Sequence, residues 1–425
     1  MLFFNFETFG RKGKEHCLDP ALYGILVVRR YVAGWSEPFM LKIAVLSISV
    51  LIISFVSVAG IFPALSYALN LTQLQSELLM TIPGVAVILT LFISNGLVKK
   101  IGMKKTVIIG MLVSGIAGIF PTFVASYVPI LVSRFFLGVG VGLVNTWAVR
   151  YITLLFDEKE RATLMGFRSS VEIIGQSMVA LLASFLFQFG WRYGFLAYGI
   201  AFISAILVLI YVPEIEISED KNVTEGKTKV PKVVYLMAMF CGMIVVVGPT
   251  IAFRYPAMAV EIRGMDYNPN LMMGIWPFAS VVAAMSFGKL SKWLGEKLIY
   301  LSLVILIAAS FITGFSNGSY LLLVIGLFLH GVVPAWFFPF VFTTTAKMTS
   351  GHTQSMAFTC VVVGIKSGLV LIPFVTNGIE TLLGTTELTA PFPIFGGAMI
   401  LSTIFIGTVG KQLVRHAIRD HRLKA

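Results

Sequence analysis

The chain has 425 residues, of which 57% are hydrophobic and only 12% are charged, whereas a typical soluble domain has about 25% charged residues. Its mean hydropathy of +0.90 means that most helices must be apolar on every side, which excludes an ordinary soluble fold and indicates a membrane protein. The net charge of +12 would suggest nucleic acid as a partner of a soluble protein, but here the basic residues lie in short loops and tails, so we expect no nucleic-acid binding.

The N-terminal segment, residues 1–39, contains a short apolar patch but neither a complete membrane span nor the order of regions found in a signal peptide. Two interpretations stay open. The segment is a cytoplasmic tail, or natural translation starts at Met40, which stands directly before the first span.

Twelve apolar runs follow, each long enough to cross a hydrocarbon core of roughly 30 Å as a helix of about 20 residues. A polar segment of mixed charge, 214–232, separates six runs from six, so we predict a cytoplasmic linker between two halves, 40–213 and 233–412. The expected fold is an all-α membrane protein with twelve transmembrane helices in two pseudo-symmetric halves, followed by a basic tail, 413–425. The predicted spans are 43–66, 78–98, 106–126, 129–155, 162–186, 192–212, 233–258, 271–291, 298–315, 319–346, 355–376 and 392–410.

The distribution of basic residues predicts the orientation of these spans. With the N-terminus in the cytoplasm, 25 of the 32 Lys and Arg residues lie on the inner side, three lie outside and four lie within helices. By the positive-inside rule, both termini should be cytoplasmic in a multi-pass protein of the cell membrane.

An internal repeat relates the two halves. The segment "NGLVKKIG", which ends at Gly102, recurs as "GKLSKWLG", which ends at Gly295, 193 residues later. The same offset pairs "FPAL" with "YPAM" in the first spans of the two halves, and it pairs Gly138 with Gly331. Repeated halves are a recurring build of secondary transporters, whose substrate site lies near the membrane midplane between the repeats.

Over essentially residues 40–412, the sequence resembles the major facilitator superfamily. The loop before Gly102 is similar to the family motif G-x-x-x-D-R-x-G-R-K, although Lys99 stands where the family has Asp and Asn95 stands where it has the first Gly. In the family that Asp helps to hold the loop against neighbouring helices.

Two further segments carry the resemblance. The stretch "RFFLGVGVG" is similar to the family's helix-4 motif R-x-x-x-G-x-G, and "GWRYGFL" is similar to its turn between helices 5 and 6. The resemblance implies a secondary transporter that acts by alternating access, and we expect a functional monomer in the lipid bilayer. Structural or gating roles are expected for Arg134, Gly138, Gly102 and Gly295.

Charged residues inside the predicted spans are the main functional candidates, because a charge at the bilayer centre costs at least about 2.5–3.5 kcal/mol. Glu172 is the only carboxylate that the sequence places well inside a helix, with Arg168 one turn away on the same face. Arg150 should lie at similar depth on the preceding helix. Either these residues form a static brace, or Glu172 carries a coupling proton while the arginines hold it or the substrate.

Lys366 should also lie near the midplane, too deep to reach the interface comfortably. Counted with three arginines in the spans against Glu172, it gives a formal excess of +3, which favours an anionic ligand. By position, Lys366 resembles the helix-11 lysine of family members that bind carboxylates. The alternative is a neutral lysine, or one that pairs with Glu172.

Several other residues are weaker candidates for the site. His330 can titrate near neutral pH and carry a proton, or it is an ordinary buried histidine. Arg254, near the outer end of helix 7, borders the cavity or lies beside it. Three aromatic residues either line the cavity or pack in lipid and protein: Trp147, Trp336 and Phe340.

The function predicted from these features is proton-coupled transport of a small, anionic organic solute, with that solute and protons as partners. The alternative is a proton-coupled exporter of drug-like amphipathic compounds. The sequence has no P-loop, no H-E-x-x-H and no Ser/His/Asp pattern, so we expect no enzyme activity. Its three cysteines lack disulfide or metal-ligand spacing, and we expect neither a metal nor a cofactor.

Overall fold

The computed structural model describes residues 37–52, 54–215, 230–349, 351–410 and 412. Across these ranges there is no β-strand, and eleven helical stretches are long and apolar enough to cross a membrane. The bent pair Phe39–Leu51 and Ser54–Leu69 brings this number to twelve when it is counted as one span. The all-α, twelve-span prediction is thereby confirmed. The expectations for the basic tail, for residues 1–36 and for most of the linker lie outside the described residues.

Fifteen α-helices are described, seven in the first half and eight in the second. Short 3₁₀ turns connect α1 to α2, and the 3₁₀ segment Trp191–Gly199 precedes α7. The helices are α1 Glu37–Ser47, α2 Phe62–Leu69, α3 Gln73–Ile101, α4 Met103–Ile119, α5 Tyr127–Leu155, α6 Glu158–Phe187, α7 Ile200–Tyr211, α8 Lys232–Val247, α9 Thr250–Arg263, α10 Asn270–Ile275, α11 Pro277–Leu294, α12 Lys297–Gly314, α13 Tyr320–Met348, α14 Gly351–Leu383 and α15 Pro391–Phe405.

Successive spans run in opposite directions, so the connections gather at two ends of the bundle. We call the end with the 101–103 and 294–297 turns the basic end, because Lys99, Lys100, Lys292 and Lys297 lie there. The end with the loops 70–72 and 384–390 is the far end.

The far end is shaped by a sharp turn between α2 and α3. Asn70 ends α2 in the left-handed conformation, with φ of 51°. Thr72 then starts α3 with a reciprocal cap, in which its Oγ1 accepts from Gln75 N at 3.2 Å and its own N donates to Gln75 Oε1 at 2.9 Å. This start lies five residues before the predicted one, and it places Glu77 inside the helix rather than in a loop.

The 193-residue repeat also holds in the packing of the helices. Gly138 of α5 lies directly against the backbone of Pro83 in α3, and Gly331 of α13 lies against Trp276. Pro83 and Trp276 are themselves 193 residues apart. A Cβ atom at either glycine would overlap its partner, so both crossings depend on the missing side chain.

The turn at Gly102 uses a carboxylate that the sequence comparison did not indicate. Gly102 has a φ of 89°, which favours glycine, and it ends α3 directly before α4 begins. Glu214, just after α7, accepts a hydrogen bond from the backbone N of Lys104 at 3.1 Å. A carboxylate is favourable at a helix N-terminus, so Glu214 holds this loop although Lys99 replaces the family's Asp. Gly295 makes the corresponding turn after α11, with a φ of 54°.

Candidate functional site

Three charged side chains from both halves lie within electrostatic range of one another near the middle of the bundle, and we call them the mid-bundle cluster. Arg168 and Glu172 lie one turn apart near the middle of α6, with Nη2 and Oε1 2.6 Å apart. Lys366, near the middle of α14, is half-buried and close enough to both to interact electrostatically. The cluster therefore combines two cations with one carboxylate.

The repeat explains why these charges face each other. Glu172 displaced by 193 residues falls on position 365, next to Lys366. The two halves thus carry opposite charges at almost equivalent places on α6 and α14. The side chains of Arg168 and Glu172 are 16% and 14% exposed, so the cluster is neither sealed nor freely hydrated.

Arg150 does not join this cluster. Its side chain is exposed, and among the described residues it has no ion-pair partner. Asn145, which lies on α5 like Arg150, does contact the mid-bundle cluster, since its Oδ1 lies 3.5 Å from Arg168 Nη2.

A second cluster lies at the far end and is more deeply buried. Arg254 of α9 is 0% exposed, with Nε 2.9 Å from Glu77 Oε1 and Nη1 2.6 Å from Glu380 Oε1. Glu77 also accepts from Gln73 Nε2 and from Thr376 Oγ1, each at 2.9 Å. We call Glu77, Arg254 and Glu380 the far-end cluster. Because α3 belongs to the first half, and α9 and α14 to the second, this cluster joins the two halves.

The prediction that Glu172 is the only carboxylate inside the spans is wrong. Glu77 and Glu380 also lie within helices and are 1% and 7% exposed. The predicted excess of +3 is therefore too high. Adding Arg254, Glu77 and Glu380 to the predicted set, and leaving out Arg150 because its side chain is exposed, reduces the excess to +1.

A signal for the far-end cluster was present in the sequence. Arg254 lies in an apolar helix, and such a base calls for a carboxylate at the same depth. Glu77 was placed one residue before a predicted span. Glu380 was placed after a span predicted to end at 376, whereas α14 continues to Leu383. The predicted helix ends were wrong by one or two turns, and for this reason Glu77 and Glu380 were not recognised from the sequence as partners of Arg254.

Further contacts between the halves also lie toward the far end. Asn268 donates to the carbonyl oxygen of Ser184 in α6 at 2.9 Å, and Gly60 lies against Asn270. These contacts and the far-end cluster close the bundle at this end.

Arg134 has the environment of a structural residue. It is fully buried, and its guanidinium donates to Leu79 O at 3.0 Å, to Tyr198 Oη at 2.9 Å and to Phe55 O. These partners tie α5 to three other spans of the first half. Every acceptor is neutral, so the cation is satisfied without a carboxylate.

The remaining predicted residues lie apart from both clusters. His330 is buried, and its Nδ1 lies 2.8 Å from Gly326 O of its own helix. Trp147 is 5% exposed in the core of the first half, and Trp336 donates to Ala283 O at 2.8 Å. Phe340 lines a cleft within the second half. In this conformation the structure brings none of these four to the mid-bundle cluster.

Comparison with known proteins decides the family. The pattern of the Major Facilitator Superfamily matches residues 44–312, which is more than half of the chain. The chain belongs to this superfamily. A superfamily protein with this architecture is a multi-pass membrane transporter of the secondary type and not an enzyme.

Two curated proteins and a solved structure are similar to this chain. An uncharacterised protein of Campylobacter jejuni is 28% identical over 177 residues, which is 41% of this chain and 53% of that protein. Sugar transport protein 10 of Arabidopsis thaliana is 27% identical over 128 residues, 29% of this chain and 24% of that protein. The chain thus matches about half or less of the length of these relatives.

The crystal structure of a D-xylose-proton symporter has a TM-score of 0.70 with this chain, at 15% identity, and covers 88% of this chain and 98% of that one. At such identity the likeness shows the superfamily fold.

Proposed function

We propose that this superfamily member transports a small organic anion together with protons by alternating access, as a monomer. The observation that supports this most directly is the mid-bundle cluster, in which Arg168 and Lys366 outnumber Glu172. A site of low polarity with surplus positive charge favours an anion, because the anion balances the charge that the protein leaves uncompensated. The cluster also draws on both halves, as a site between two moving repeats must.

The ion pair between Arg168 and Glu172 suggests how substrate and proton are linked. When Glu172 binds a proton, it no longer competes for Arg168, and both cations become available to the anionic group of the solute. When the solute leaves, Glu172 pairs again with Arg168 and releases its proton. The pair keeps a small exposed fraction, which allows this exchange, whereas a sealed ion pair would resist it.

The far-end cluster acts as the gate in this scheme. Opening of the far end must separate α3 from α9 and so break the contact between Glu77 and Arg254. The contact between Arg254 and Glu380 lies within the second half and survives the movement. The guanidinium therefore keeps one counter-charge in both states. From the distribution of Lys and Arg, we assign the basic end and both termini to the cytoplasm.

A neutral sugar is the second candidate substrate. It is favoured by the similarity to Sugar transport protein 10 and to a D-xylose-proton symporter, whose names state what they carry. For such a substrate the mid-bundle cluster would serve proton coupling alone.

Ligand-induced thermal stabilisation of the purified protein separates these candidates. The panel contains small mono- and dicarboxylic acids, pentoses and hexoses, and amphipathic cations. We expect the acids to raise the melting temperature, and proteoliposomes with an inward proton gradient to accumulate the best of them. Stabilisation by sugars alone would support the second candidate, and stabilisation by amphipathic cations alone would support a drug exporter.

A further inference from the structure

A cleft of about 630 Å³ opens within the second half, at the basic end, between α8, α12, α13 and α15. Its walls are mostly apolar and include Met237, Tyr300, Phe340 and Leu401. Lys366 is not among the lining residues, so the cleft is separate from the mid-bundle cluster.

At the equivalent place in the described part of the first half, the side chains pack into a buried core. Four lining residues of the cleft map, 193 residues earlier, onto side chains that are at most 5% exposed in the core between α1, α4 and α5. The pairs, with the first-half residue first, are Ala44 and Met237, Val107 and Tyr300, Trp147 and Phe340, and Tyr151 and Thr344.

One of these pairs places a much smaller residue in the second half. Tyr151 is fully buried in the core of the first half, whereas its counterpart Thr344 is much smaller and lines the cleft together with Phe340. The two halves therefore differ at this place, and the cleft belongs to the second half.

The position of the cleft indicates what fills it. Leu401 and Phe405 are exposed on the outer surface of the bundle, which faces acyl chains in a membrane. At the basic end the mouth carries Lys347, whose side chain is exposed and has no ion-pair partner among the described residues. Glu296 also lines the mouth, but it takes part in another contact. An apolar slot that opens to lipid, with a lysine at headgroup depth, complements an anionic lipid.

We propose that this cleft binds one acyl chain of an anionic phospholipid from the leaflet at the basic end, with Lys347 on its phosphate. The apolar walls exclude water and hold the chain, as dry cavities bind apolar ligands. Basic side chains near the anionic cytoplasmic leaflet attract such headgroups. This lipid site does not depend on the transport substrate.

The repeat supplies the variant that tests this proposal. Thr344→Tyr restores the residue that fills the first half, and Met237→Trp fills the cleft from the opposite wall. Native mass spectrometry and thermal stability are measured for the full chain with phosphatidylglycerol and with phosphatidylcholine. We expect the unmodified protein to retain phosphatidylglycerol at least tenfold better than phosphatidylcholine, and each filled variant to retain neither lipid in the cleft.

Lys347→Gln should keep the acyl chain but lose the preference for phosphatidylglycerol. Lys292→Gln, which removes an exposed lysine of the basic end outside the lining, is the matched control and should behave like the unmodified protein. If one filled variant does not fold, the other gives the same reading. Unchanged lipid retention in a folded filled variant, or equal retention of both lipids by the unmodified protein, would overturn the proposal.

Discussion

The mid-bundle and far-end clusters combine positive and negative side chains in opposite proportions. The far-end cluster has two carboxylates around one guanidinium, is almost fully buried and is held by hydrogen bonds from Gln73 and Thr376. The mid-bundle cluster has two cations around one carboxylate and stays partly accessible. A buried cluster whose charges are paired favours one arrangement of the helices, whereas an accessible cluster with surplus charge can exchange partners with a ligand.

This difference suggests a choice between the two interpretations that the sequence left open for the mid-bundle charges, and that choice stays a proposal. A static brace between helices does exist in the chain, but it is the far-end cluster that has this geometry. The brace also joins the two halves, so it stabilises one state of the transporter rather than one half. Substitutions in the two clusters should therefore have different consequences.

The largest expected effect is on stability. Arg254→Met leaves Glu77 and Glu380 buried beside each other without a counter-charge, and breaking a buried pair in this way costs about 3–5 kcal/mol. Arg168→Met removes the equivalent group from the partly exposed cluster and should cost clearly less. Thermal unfolding of both variants in the same detergent makes the comparison. Equal losses would mean that the two clusters do not differ in the way described.

A smaller effect is expected on the balance between conformations. Glu77→Gln weakens the ion pair between the halves, while Glu380→Gln leaves that pair in place. Spin labels on the exposed far-end residues Tyr67 and Met265 report the distance between the halves. We expect Glu77→Gln to raise the ratio of open to closed far ends by about tenfold, or roughly 1.4 kcal/mol. The same shift with Glu380→Gln would contradict the assignment of the gate.

Much of the architecture could be predicted from the sequence because it depends on local composition. Apolar runs of membrane length gave the spans, and the 193-residue offset anticipated the matched crossings at Gly138 and Gly331. The bend in the first span could not be predicted, since α1 and α2 belong to one apolar run in the sequence, and the structure bends this run by 47°.

The clusters were only partly predictable, for a physical reason. Arg168 and Glu172 are one turn apart on one helix, so their contact follows from helical periodicity. Glu77, Arg254 and Glu380 come from three helices, and their contact depends on how the halves pack. Sequence spacing carries no direct record of that packing. The same holds for the cap that Glu214 provides to α4.

The third effect concerns substrate affinity. Lys366→Gln removes one of the two cations available to an anion, and binding of the best acid should weaken at least tenfold, about 1.4 kcal/mol. Isothermal titration with that acid measures the change, and Lys292→Gln at the basic end controls for the loss of a positive charge. Unchanged affinity in a folded Lys366→Gln protein would rule out direct recognition by this lysine.

The central claim is that Glu172 exchanges the coupling proton, and transport by Glu172→Gln in proteoliposomes tests it most directly. Gln keeps the size of the side chain and much of its hydrogen bonding but cannot gain and lose the proton. Exchange of labelled for unlabelled substrate needs no net proton movement, so it should stay largely intact. Accumulation driven by a proton gradient alone should disappear. A variant that still concentrates substrate under that gradient would contradict the account and would move the coupling site to another group.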